Sequence, residues 1–154
     1  MALAAPLLHK IEPMERNEPL CFEDLSDLLI LQRALMEARF AVQARNPEIP
    51  GSPLVAHLHQ RVVDAIASEY ERSGSHRILD EFEDWLVWSP REIEQTSLIN
   101  TLAAMRTWDS WSLKERTEVA RSLVVPFQAT DTEIDELVRA ASARSARDHP
   151  DLAP

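Results

Sequence analysis

The sequence predicts an all-α protein, a compact bundle of about six antiparallel helices forming a single domain. Three observations carry this prediction. Apolar residues recur at helical spacing along most of the chain, β-branched alternation of the kind strands need is nearly absent, and the two glycines, Gly51 and Gly74, both lie between helical segments. A chain of 154 residues with 45% apolar residues can bury about two-thirds of its unfolded surface, which is enough for a core without metal or disulfide.

The first helix is expected from Cys21 to Arg45. Cys21, Leu25, Leu28, Leu35, Ala38 and Val42 form one stripe, and Phe22, Leu29, Met36 and Phe40 widen it into a face broad enough for a central helix. A helix apolar over more than one stripe also raises the expectation that a second copy of the chain covers part of it. The helix should stop near Asn46, because Pro47 and Pro50 disfavour its continuation.

Ser52-Pro53 starts the second helix, with serine as N-cap and proline in the first turn, where its missing N–H costs nothing. Its expected buried stripe is Leu54, Leu58, Val62, Ala65, Ile66 and Tyr70, and Gly74 is placed to end it. A third helix is expected from His76 to Trp88 with Ile78, Leu79, Phe82, Trp85 and Leu86 inward. Ser89-Pro90-Arg91-Glu92 has capping-box spacing and should open a fourth, with Ile93, Leu98, Ile99, Leu102 and Met105 inward.

The same spacing recurs at Ser112 to Glu115 and at Thr130 to Glu133. These open a fifth helix, with Val119, Ala120, Leu123 and Val124 inward and Pro126 closing it, and a sixth with Ile134, Leu137, Val138 and Ala141 inward. Short connections favour antiparallel neighbours. Residues 1–19 and 148–154 read as mobile arms around a helical domain at 20–147.

Charge and composition narrow the function. Acidic residues number 26 against 16 basic ones, a formal charge of −10 that repels phosphate backbones and anionic bilayers. Neither nucleic acid nor a membrane is an expected partner, and no apolar run approaches the ~20 residues of a membrane helix. A lone cysteine, Cys21, cannot form an internal disulfide, so a cytoplasmic location is expected and Cys21 reads as a small hydrophobe. The first residues lack a basic stretch ahead of their apolar run and make a poor signal peptide. Arginine used in place of lysine, with abundant alanine, resembles the composition of high-GC bacterial chains.

Several chemistries lack their residues. Two isolated glycines cannot build a phosphate-cradling loop, one cysteine cannot build a cysteine zinc site, and no G-x-S-x-G elbow occurs. His57 and His59 lie about 200° apart on a helix and cannot chelate one ion, and His59 is expected as a hydrogen-bonded histidine at the core boundary. No cofactor is expected. The alternative metal site would use His76, Asp80 and Asp84, or Glu83 in place of Asp84, along one face of the third helix. Glu69 is the one candidate for a buried acid of catalytic use. A ligand-sensing bundle with a pocket lined by Phe40, Met36 and Trp85 is a further alternative.

The four tryptophans form two pairs, Trp85 with Trp88 and Trp108 with Trp111, each bracketing a helix boundary. A large ring there can cover the end of a core while its indole N–H finds water or a carbonyl. A ring left exposed beside the acidic third helix would instead suit a basic partner groove. The leading functional expectation is a small acidic, non-enzymatic, regulatory helical protein that binds another protein as an adaptor, inhibitor, immunity-type factor or accessory subunit. Glu81, Asp84, Trp85, Trp88, Trp108 and Trp111 are its candidate contact residues.

Overall fold

In a computed structural model the described residues are Phe22, Asp24, Ala44 and the ranges 25–41 and 46–148. Six α-helices run in the order α1 Leu25–Phe40, α2 Pro53–Arg72, α3 His76–Trp85, α4 Glu92–Ala103, α5 Leu113–Val124 and α6 Asp131–Asp148, with a short 3-10 turn at Trp108–Ser110. They form a single-domain all-α bundle, and no β-strand occurs among the described residues. Cys21 and both expected arms, save Asp148 at the end of α6, lie outside the described residues.

α1 and α2 form an antiparallel hairpin, α3 lies on α2, and α4, α5 and α6 pack on one another. The main core gathers Phe40, Leu98, Leu102, Trp88, Trp108, Leu123 and Phe127 with the inward stripe of α6: Ile134, Leu137, Val138 and Ala141. A smaller cluster of Leu35, Val62 and Ile66 fills the α1–α2 seam and is closed by Leu28, Leu31, Tyr70 and Phe82.

Local rules account for most helix ends. Ser52 accepts from the Val55 N–H, and Gly74 takes the positive φ of 70° that only glycine adopts freely. The box at Ser112 is complete, with Glu115 bonded back to the Ser112 backbone at 2.7 Å, and Thr130 and Glu133 form the same reciprocal pair.

Expectations for four of the helices are corrected. α1 starts at Leu25 behind an Asp24 cap and ends at Phe40, earlier than Asn46, where Ala41 turns extended and its carbonyl accepts from Ser97. Far from being central, α1 buries only Leu35, Arg39 and Phe40. α2 buries Val62 and Ile66 of the expected stripe but adds Ala56, His59 and Val63 and leaves Leu54 and Leu58 exposed, because α1 and α5 approach it on a face rotated from that stripe.

α3 stops at Trp85, since Leu86 and Trp88 give their backbone groups to Gln128 on the far side of α5. Ser89 does not cap α4. Arg91 lies over the Trp85 and Phe127 rings at 4.3 and 5.0 Å, Gln95 takes the Trp88 and Ser89 carbonyls, and these contacts hold the chain as a turn until Glu92.

Candidate functional site

Arg39 and His59 make the least expected arrangement in the molecule. Both are buried, Arg39 at 2% exposure and His59 at 0%. Arg39 Nη1 lies 2.9 Å from His59 Nδ1 and donates to the Val125 carbonyl at 2.5 Å, while Nη2 donates to the Leu123 carbonyl at 2.6 Å. A guanidinium can only donate, so Nδ1 accepts and the imidazole proton belongs on Nε2.

No carboxylate pairs with this cation among the described residues. Its compensation comes from the C-terminus of α5, where carbonyls without helical partners and the negative end of the helix dipole both favour a cation. Arg39 therefore caps α5 from a distant helix. Burial lowers the Arg39 pKa to about 10, and burial followed by the charge of Arg39 pushes that of His59 down to about 3.

With its one lone pair taken and its ring enclosed, His59 is not available as a general base at neutral pH. Among the described residues Arg39 Nε and His59 Nε2 are buried without a hydrogen-bond partner, so the node carries some cost in unsatisfied polarity. It is a structural rivet between α1, α2 and α5.

The tryptophans divide between two places. Trp88 is buried beside Phe127, with ring centroids 5.6 Å apart, and Trp85 reaches the same Phe127 ring at 5.5 Å while stacking on Phe82 at 5.9 Å. Trp108 is fully buried and donates through Nε1 to Ser142, and Trp111 meets its edge at 6.3 Å. Among the described residues no ring contact joins the two pairs.

A polar network fixes the second pair. Arg116 donates to Ser142 and to the Asp109 carbonyl, and Ser145 donates to the Asp109 carboxylate at 2.8 Å. These bonds tie the Trp108–Ser110 turn to α5 and α6. Trp88 and Trp108 are thus core residues in this fold and offer no ring to a partner, which leaves Trp85 and Trp111 as the half-buried ones.

Asp80, Glu81, Glu83 and Asp84 are all exposed on α3, and Arg77 pairs with Glu81 at 3.5 Å. Exposed Ile78 and Val87 lie at the two ends of this acidic run. His76, Asp80 and Asp84 share the helix, but among the described residues no group of three or more His, Cys, Asp or Glu side chains converges as a metal ion requires.

Glu69 is not a buried acid. It forms an exposed-side ion pair with Arg72, whose hydrogen bond lowers its pKa, opposite to the rise that acid catalysis would need. Of the residues expected around a ligand pocket, Phe40 is buried against Phe127 at 5.4 Å, and Met36 and Trp85 pack half-buried on the same core. An open groove of about 750 Å³ lies elsewhere, between the α1–α2 connection and α4, with Pro47, Gly51, Thr101 and Met105 among its lining residues.

Sequence reasoning missed Arg39, although an arginine at the edge of the α1 apolar face was a readable sign. Comparison of the chain with protein-family models, with curated proteins and with solved structures gives no match. No helix among the described residues is long and apolar enough to cross a membrane.

Proposed function

We propose that this chain is a non-enzymatic protein of a reducing cytoplasm that regulates another protein by binding it through the exposed face of α3. One observation carries the reading: four carboxylates on α3 face solvent with a single internal base, Arg77, beside exposed Ile78 and Val87. The adjoining Trp85 ring, covered in part by Arg91, would extend the apolar contact. The preferred partner presents a basic groove with an apolar floor. Charge raises the rate of encounter, and the aliphatic and aromatic contacts supply the affinity. The net charge of −10 and the single cysteine support the choice of partner and compartment.

Affinity capture with the wild-type chain and with a Glu81→Lys/Asp84→Lys variant, each followed by mass spectrometry, tests the proposal. A protein held by the wild type and lost from the variant supports it, and its association rate should fall steeply as salt rises. A protein captured equally by both chains, or at a salt-independent rate, refutes the assignment of α3.

A further inference from the structure

The outer side of the α1–α2 hairpin has no role in the site above and is unusually apolar. Ile30 is 69% exposed, Leu54 82% and Leu58 43%. Their alignment follows from the hairpin. Ile30 and Ala34 each precede by one position the residues that enter the seam, Leu31 and Leu35, while Leu54 and Leu58 likewise precede Val55 and His59. In antiparallel helices the same offset turns both rows to the same side, away from the main core. On α1 itself Leu29, Ile30 and Ala34 line one open groove together with Arg33 and Glu37, and continuous exposed aliphatic surface of this kind marks an interaction site, with Leu54 and Leu58 farther along the same side of the hairpin.

Its charges identify the occupant. Around Ile30 at the centre of the exposed α1 face, Asp27 stands three residues before and Arg33 three residues after, and neither has an ion-pair partner among the described residues. Closed dimers are mostly two-fold symmetric, and each residue of such an interface then meets a counterpart reciprocally. A two-fold axis passing beside Ile30 sets α1 antiparallel to its copy, brings Ile30 against the partner's Ile30 and places Asp27 opposite the partner's Arg33 twice. Ser26 and Ala34, four residues to either side, are small enough for the helices to approach.

Farther out, Glu37 and Arg61 are both exposed, so the face as a whole favours neither a basic nor an acidic stranger. We infer that the outer face of the α1–α2 hairpin is the interface of a symmetric homodimer centred on Ile30. This surface is separate from α3, so the dimer and the α3 partner can fail independently.

Sedimentation equilibrium of the full chain over a concentration series, with helicity monitored by circular dichroism, is the test. The wild type should dimerise, and Ile30→Arg or Leu58→Lys should raise the dissociation constant by about tenfold or more while leaving helicity unchanged. Asp27→Arg and Arg33→Asp should each weaken the dimer, and the double variant, which exchanges the charges, should restore it. A wild type that stays monomeric overturns the inference, and a concurrent loss of thermal stability in Ile30→Arg would show that the chain itself covers the face. A dimer unmoved by Ile30→Arg, or not restored by the charge exchange, overturns it as well.

Discussion

Replacing Arg39 with methionine removes the guanidinium while keeping an unbranched apolar stem, and so isolates the polar part of the rivet. Three acceptors lose their donor: the Leu123 carbonyl and His59 Nδ1, both buried, and the partly buried Val125 carbonyl. A buried polar group left unpartnered costs roughly 1–3 kcal/mol, which gives a gross loss of roughly 2–6 kcal/mol for the two buried acceptors and a smaller addition for the third. Against this stands the relief of no longer burying a cation, which is also worth several kcal/mol.

Exchanging a whole buried ion pair for apolar residues can be neutral, because both polar partners leave together. Here two of the acceptors are backbone carbonyls that no substitution removes, so the loss should dominate. A net cost of roughly 3–5 kcal/mol is expected, the range found when one partner of a buried pair is removed. That is a large part of the 5–15 kcal/mol that stabilises a typical domain. Urea denaturation followed by the fluorescence of buried Trp88 and Trp108 measures it, with the midpoint falling and the slope unchanged. A variant within about 1 kcal/mol of wild type would refute the view that Arg39 caps α5, since surface substitutions lie in that range.

His59 should make the fold acid-sensitive. Its folded pKa of about 3 lies below the ordinary value of 6.5, so on acidification the unfolded chain takes up a proton that the native chain refuses. This contribution to stability is present in full above pH about 6.5 and is lost progressively toward pH about 3, at no more than about 1.4 kcal/mol per pH unit. Compared with His59→Gln, which does not titrate, the wild type should lose up to about 2 kcal/mol more between pH 7 and 5 in urea titrations, and parallel pH profiles would refute this. Leu102→Ala, at a fully buried position, should cost 2–5 kcal/mol, whereas Leu54→Ala should change monomer stability by less than about 0.5 kcal/mol; equal effects in thermal melts would contradict the assigned faces.

Much of the fold could be read along the chain. The helix starts at Pro53, Leu113 and Asp131 and the left-handed position of Gly74 follow from residues within one turn of each boundary. The inward stripe of α6 also matches its sequence spacing. The candidate site was less legible. The exposure of Glu81 and Asp84 follows from helical phase, but Trp88 and Trp108 sit in the core because Phe127 and Ser142, from distant parts of the chain, come to meet them. At Ser89 a valid local cap is overridden by the packing of Arg91 over the Trp85 and Phe127 rings.

The sequence by itself determined that this chain is helical, where several of its helices begin, and that its surface is acidic, since these depend on neighbours a few residues apart or on composition alone. Only the tertiary structure decided which apolar row of α2 is buried alongside Val62 and Ile66, and that a cation and a histidine share the interior. α2 carries more than one apolar row, and the choice among them rests on α1 and α5. The carbonyls that receive Arg39 stand 84 and 86 residues farther along the chain, beyond the reach of any periodicity.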